Sequence, residues 1–278
     1  MVARLVWILL CLTPFVSPLQ AVAPKVVKAQ PMDNTFIKLL VVHDKPGVVL
    51  EVKGQYKVYD PNTDKFISTR FKGKRKYMQA ISDGIKWGEE FPGIHQLMIV
   101  PNTLSTTTIV DGIEYKGRIY VYDIGGAISI VNELTLDDYV RCTIAQQYET
   151  SNLSDEAMNA VVIAARTNAY YLVQNPGSKF WTIDARKTGY QGHTLVNVNP
   201  KFEKALERTH NMVLSDDNNE VKAFANNWGI SAGQSEAIKN IISSSISVVE
   251  ADDLAKKGND AAKILSKAYP QKNLKVLK

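Results

Sequence analysis

Four residues in the second half of the chain, Tyr190, Asn226, Asn227 and Trp228, have the chemistry of a carbohydrate site. Aromatic faces stack on sugar rings, and side-chain amides both donate to and accept from hydroxyls. Each also has an ordinary use in a core or a turn, so the set points to a sugar only if the fold assembles it. Other chemistries find less support. His43, His95, His193 and His210 are scattered and no His-Glu-x-x-His occurs, so neither a metal site nor a cofactor is expected. The chain lacks a Gly-x-Ser-x-Gly elbow and a phosphate loop. Cys142 stands in an apolar helical context and reads as a small core residue rather than a nucleophile. Arg166, on an otherwise small and apolar helical stretch, reads as structural and needs a carboxylate partner such as Asp184.

The elements that must position these residues change character near residue 134. Before it, β-rich runs at 36–42, 47–52, 56–60, 106–110, 118–122 and 127–131 are separated by Asp, Pro, Gly and Asn, with Asp111-Gly112 and Gly125-Gly126 as turn signals. After it the apolar period becomes about 3.6. Thr135 is placed to cap a helix over 136–145, with Asp138 at its third position and Leu134 stapling onto Tyr139. Ser154 opens a longer helix whose stripe is Met158, Val161, Val162, Ala165, Ala169 and Leu172, ended by Asn175-Pro176-Gly177. A loop rich in polar and aromatic residues follows. Strands are expected at 211–214 and 220–224, and a helix over 251–269 containing Gly258.

The amino terminus has the pattern of an export signal: Arg4, an apolar run from Leu5 to Val16, and Ala21-Val22-Ala23 for cleavage. We expect residues 1–23 to be a signal peptide and 24–35 a linker. The main alternative is an uncleaved anchor, although the run is short for a spanning helix and Pro14 and Pro18 interrupt it. Removal of the leader takes Cys11 with it and leaves Cys142 alone, so no disulfide within the mature chain is expected. The net charge of +5 only weakly favours an acidic partner, and the densest basic run, 71–77, reads as a solvated loop or hairpin end.

Two ordered blocks resemble one family. Ile128-Ser129-Ile130-Val131 runs into Asn132-Glu133-Leu134-Thr135-Leu136-Asp137-Asp138-Tyr139-Val140, and the next helix carries Ala164-Ala165-Arg166-Thr167-Asn168-Ala169. Both are similar to the entry segment and the Ala-Ala-Arg-Thr helix of the stage II sporulation protein D (SpoIID/LytB) family. Ala251, Leu254-Ala255, Gly258, Ile264-Leu265, Tyr269 and Leu274 are spaced like its closing helix and last strand. The resemblance covers about residues 36 to 274. It implies an α+β fold, a β-rich part over 36–125 packed with a mixed α/β core over 126–278. It also implies a location in the periplasm or cell envelope and peptidoglycan glycan strands as partner. A wall amidase or division-complex proteins are further partners to expect; nucleic acid is not, and membrane only through an uncleaved leader. Active members are lytic transglycosylases that cleave the MurNAc–GlcNAc bond of peptide-stripped strands; other relatives enhance an amidase.

In that chemistry one carboxyl donates a proton to the leaving oxygen and then accepts one from the sugar's own C6 hydroxyl. The family's Glu lies in a segment like Tyr-Leu-x-Gly-Val-Val-x-x-Glu-Met-Pro. Here Tyr139 opens a segment ending in Ala145-Gln146-Gln147-Tyr148-Glu149. Counting forward from Tyr139 places Gln147 at the catalytic position; counting back from Arg166 points to Tyr148. Two readings stand. Either Glu149, the nearest carboxylate, is the acid and base, or Gln147 occupies the site as an amide that binds sugar without titrating. The resemblance further marks Tyr148, Asp184 and Tyr190 as substrate-binding candidates, with Asn226, Asn227 and Trp228 in place of a Phe-His-Ser-Ser-Ser-Gly-Gly segment.

Overall fold

The computed structural model describes residues 35–70, 75–193, 198–222, 228 and 244–277. The leader, the linker up to residue 34, most of the basic run, Asn226 and Asn227 lie outside the described residues. The fold is α+β. Strands come first: β1 (Phe36–Lys45), β2 (Gly47–Lys53), β3 (Tyr56–Asp60), β4 (Lys65–Arg70), β5 (Lys76–Ile81) and β6 (Gly84–Trp87). They continue with β7 (Glu89–Pro92), β8 (Gln96–Pro101), β9 (Thr107–Val110), β10 (Ile113–Tyr115), β11 (Arg118–Ile124) and β12 (Ala127–Thr135). Helices α1 (Leu136–Ile144) and α2 (Asp155–Gln174) follow, then β13 (Ile183–Asp184), α3 (Pro200–Arg208) and β14 (Met212–Ser215). The chain closes with α4 (Val248–Lys256), α5 (Ala261–Ala268) and β15 (Asn273–Val276).

One sheet has the order β13-β1-β12-β11-β8-β3-β4 and a second β10-β9-β2-β5-β6-β7, while β14 pairs with β15. The turn signals act as read. Asp111 and Gly112 have φ of 48° and 92°, Gly125 and Gly126 of 63° and 84°. Two positive values in a two-residue loop match the twist of the flanking strands. Because β12 lies between β1 and β11, the boundary between 125 and 126 falls within a hairpin of a continuous sheet.

Period-two alternation decides which side chains reach the core. On β11, Ile119 and Val121 join the main core, while Tyr120 and Tyr122 belong to a small cluster on the sheet's other face with Leu40 and Val131. On β1, Ile37 and Leu39 face the core and so does Val42, out of step with them. A register shift between Leu40 and Val42 accounts for this: one extra residue restores the phase.

α1 starts as its sequence requires. Thr135 accepts from the Asp138 N–H at 3.1 Å, and Leu134 and Tyr139 are both buried. α2 is buried around most of its circumference rather than along one stripe, since α1, α3, α4, α5 and β14 all pack on it. Three expectations need correction. Ser154 holds the N-cap position of α2 but its hydroxyl makes no cap; it donates instead to Asp252. Glu220 and Lys222 are not in a strand, because Asp216 accepts from the N–H groups of Asn218 and Glu220 at 3.0 Å each and closes a turn; Ala223 and Phe224 lie outside the described residues. The stretch 251–269 is two helices: Gly258, at φ +85°, ends α4, and Asp260 caps α5 by accepting from the Lys263 N–H at 2.8 Å. α4 itself begins earlier, at a Ser247–Glu250 capping box.

Asp252 on α4 clamps the start of α2, accepting from the Ser154 N–H at 2.7 Å and from Lys256 Nζ at 2.6 Å. Burial pushes its carboxyl up, but Lys256 and the two Ser154 donors outweigh burial and hold it down at about 2. The folded value lies below the ordinary one. The clamp therefore contributes fully above the unfolded carboxylate range and is lost as pH falls through about 2. Asp252→Ala is expected to cost about 1–3 kcal/mol near neutrality, and that gap is expected to shrink as pH drops from about 4 toward 2. Urea unfolding of both chains across that range measures it; a gap independent of pH contradicts the clamp.

Candidate functional site

Helix α1 runs into a 3-10 turn, Ala145–Tyr148, and the chain then passes irregularly to Ser154. Tyr148 anchors this loop. It is buried, its ring lies 6.5 Å from that of Phe202 on α3 in a stacked arrangement, and its hydroxyl donates to the Trp228 carbonyl at 3.0 Å. Successive residues of a 3-10 turn are about 120° apart. With Tyr148 turned inward, Gln147 and Glu149 on either side of it are both exposed.

The loop's backbone is also held from outside. Asn199 donates through Nδ2 to the carbonyls of Tyr148 at 3.2 Å, Glu149 at 3.4 Å and Ser151 at 3.0 Å, while its Oδ1 caps α3 by accepting from the Lys201 N–H at 2.9 Å. Lys201 Nζ adds a bond to the Leu153 carbonyl at 2.9 Å. α3 is in turn tied to α1 by Arg141, which donates to both oxygens of Glu203 at 2.7 and 3.1 Å. Neither Asn199 nor α3 stands out in the polar stretch between 177 and 211. The signal was present: Asn199-Pro200 is a cap followed by a first-turn proline, and Phe202, Ala205 and Leu206 recur at helical spacing.

Asp184 and Tyr190 belong to a second loop, held by other elements. β13 pairs parallel with β1, Leu40 opposite Asp184. Asp184 accepts from the Arg186 N–H at 2.9 Å and from Arg186 Nε at 3.0 Å; that guanidinium holds its carboxyl below the usual range. Tyr190 is buried and donates its hydroxyl to Asn132 Oδ1 at 2.6 Å. Asn132, itself buried on β12, donates to the Lys116 and Arg118 carbonyls at 2.7 and 3.1 Å. An Asn in an apolar strand is the sequence mark of this tie. At Gly192, φ is +86° and a Cβ would come within 2.5 Å of the Glu114 carbonyl oxygen, so only glycine lets the loop lie against β10. Between loop and sheet is a cavity of about 600 Å³ lined by Val41, Tyr115, Arg186, Gly189, Tyr190 and Gln191, among others.

Of the carbohydrate candidates, Trp228 and Tyr148 are buried in contact with each other, and Tyr190 lines the cavity beside its loop. Burial covers the ring faces of Trp228 and Tyr148, so both serve here as framework. Asn226 and Asn227 lie outside the described residues. Arg166 corrects one expectation. It is fully buried, and its partner is Asp137 at the start of α1, at 2.8 Å, rather than Asp184; it also donates to the Thr209 carbonyl at 2.7 Å, the Thr209 hydroxyl at 3.0 Å and the Leu206 carbonyl at 3.2 Å. A buried guanidinium needs several acceptors, and the ends of α1 and α3 supply them. Cys142 is buried and its thiol is pushed up to about 12 by burial, which suits a core residue.

The model of the stage II sporulation protein (SpoIID) family matches residues 125–215, which contain both loops, α1, α2 and α3. A protein of Chlamydia pneumoniae is 30% identical over 191 residues, 68% of this chain and 69% of that protein. The chain belongs to the SpoIID family. Its function at the level of the family is therefore related to the cell wall. A Chlamydia muridarum protein is 29% identical over 243 residues, covering 87% of this chain and 77% of its own length. One from Brachyspira hyodysenteriae is 26% identical over 179 residues, 64% of this chain and 47% of its own. All three carry the description of uncharacterised proteins, so their kinship adds no activity. No solved structure matches. Within the SpoIID match, the loop that follows α1 carries two exposed candidates, an amide and a carboxylate two residues apart.

Proposed function

We propose that this chain is an exported cell-envelope protein that holds peptide-stripped glycan strands of peptidoglycan without cutting them at the rate of active family members. The observation that supports this most is the exposed Gln147, at the position where counting from Tyr139 places the family's acid, in a loop whose backbone is fixed by Asn199. A side-chain amide hydrogen-bonds sugar hydroxyls but neither gives nor takes a proton. Loss of acid–base catalysis removes roughly 10²–10⁴ in rate.

Glu149 supports a second reading. It is exposed in the same loop, and a strand lying over it would supply the shelter a general acid needs. On that reading the chain is a lytic transglycosylase with Glu149 as acid and then base, and Glu149→Gln abolishes cleavage. Activation of a wall amidase is a third role, with a protein rather than a glycan as partner.

Sedimentation separates these. The purified chain is expected to pellet with denuded peptidoglycan and to release no soluble fragments. A chain that stays in the supernatant while binding an amidase overturns the glycan reading; anhydro-ended products lost with Glu149→Gln establish the second.

A further inference from the structure

The turn after α2 lays an aromatic row on the side of the seven-stranded sheet that faces away from the main core. The Gly177 N–H donates to the Thr182 carbonyl at 2.8 Å and the Ser178 N–H to the Trp181 carbonyl at 3.1 Å, which closes the turn. It is fastened to β1, because the Thr182 N–H donates to the Lys38 carbonyl at 2.7 Å and the Lys38 N–H to the Thr182 hydroxyl at 3.2 Å. Phe180 and Trp181 are thereby held over the small cluster of Leu40, Tyr120, Tyr122 and Val131. Ring centroids follow one another from Trp181 to Phe180 at 6.2 Å, on to Tyr122 at 4.9 Å and to Tyr120 at 6.1 Å. Tyr120 and Tyr122 are buried and form the floor, while Phe180 and Trp181 are half-buried and reach solvent.

Two cations lie on this row. Lys38 Nζ is 4.4 Å from the Tyr120 centroid and Lys179 Nζ is 4.8 Å from that of Phe180. Neither ammonium has a carboxylate partner among the described residues. Glu133, the acid opposite Lys38 in the β1–β12 register, is engaged by Arg118 at 3.2 Å and by the Tyr120 hydroxyl. An ammonium over a ring keeps donors for a further group. The row thus offers a flat apolar contact for the C–H face of a pyranose, and beside it two charged donors for a carboxylate. A bilayer would need an apolar face that enters it by about 5–10 Å. Phe180 and Trp181 instead pack down on the sheet. Peptidoglycan carries both groups that the row suits. The lactyl carboxylate of its N-acetylmuramic acid is tied up as an amide while the stem peptide is attached, and is free once the peptide is gone. We propose that this face binds a glycan strand through pyranose contact with Phe180 and Trp181 and through free lactyl carboxylates on Lys38 and Lys179, so that it reads the removal of stem peptides. The inference rests on the glycan reading and names what is recognised in a stripped strand.

A peptide-free tetrasaccharide of alternating N-acetylglucosamine and N-acetylmuramic acid, titrated into the ¹⁵N-labelled chain, tests it beside the same sugar with its carboxylates converted to methylamides. The free acid is expected to give saturable shifts at the amides of 178–182 and at the Trp181 indole N–H, and the methylamide to bind there about tenfold more weakly. Lys38→Gln combined with Lys179→Gln is expected to weaken the free acid by the same factor and to abolish the difference between the two sugars. The methylamide comparison needs no substitution, so it decides the matter even if that chain fails to fold. Equal binding of the two sugars overturns the inference. Shifts confined to 145–153 and 184–193 overturn it and leave glycan binding standing. No shift with either sugar overturns both readings, and loss of the 178–182 signals on phosphatidylglycerol vesicles would then assign the face to a membrane.

Discussion

Gln147→Glu is expected to turn a chain that holds glycan into one that cuts it, with anhydro-ended fragments appearing about 10²–10⁴ times faster than from the parent. The argument is one of protons. As the glycosidic bond lengthens, the leaving oxygen gathers charge and the ring becomes oxocarbenium-like; a carboxylic acid within reach neutralises the first and then collects the C6 hydroxyl proton that closes the anhydro ring. An amide in the same place reproduces the shape and the hydrogen bonds but none of the transfer. The substitution leaves the framework alone, because Tyr148 and Asn199 set the path of the loop. Mass spectrometry of the soluble products reads the result. Binding retained with no fragments from Gln147→Glu would remove Gln147 from the catalytic position, and fragments already released by the parent would move attention to Glu149.

Arg166→Met is expected to lower stability by about 3–5 kcal/mol, a fall of roughly 10 °C in Tm. The replacement is apolar and shorter of donors. It leaves Asp137, among the described residues, with His210 at 3.4 Å, and strips the Thr209 and Leu206 carbonyls of a donor inside the protein. Asp137→Asn keeps an acceptor for Arg166 and is expected to cost less than half as much. Thermal and urea unfolding of the three chains measure both. A loss under about 1 kcal/mol for Arg166→Met would mean that the ends of α1 and α3 are held by other contacts.

Strands β1, β2, β3, β9, β11 and β12 and helices α1 and α2 were legible because each rests on local physics, alternation, turn chemistry and caps, whereas β4 to β8 and β10 were not read. Asp111-Gly112 and Gly125-Gly126 needed no tertiary information to close their hairpins. The errors have a different origin. Ser154 has the right type for a cap, yet Asp252, 98 residues away in the chain, takes its hydroxyl. Arg166 announced a carboxylate partner, but which one depends on how α1 meets α2. Gly258 marked a break that a continuous apolar period concealed. At the site, the identity of the loop after α1 was readable from its neighbours Tyr139 and Arg166, whereas the inward turn of Tyr148 depends on Phe202, Asn199 and Trp228, far along the chain. Trp228 shows the limit of residue type alone: its ring suits a ligand or a core, both uses stood open in the sequence, and the fold buries it.

Asn199 has a meaning for how such a site changes over generations. One amide at the cap of a neighbouring helix binds three carbonyls of the loop, on which Gln147 and Glu149 are exposed. The path of the loop depends on Asn199 and α3, the side chains it presents depend on positions 147 and 149, and the two are encoded separately. On the proposed reading, a single base change between Gln and Glu codons would switch what the loop does to a sugar while the loop itself is passed on intact.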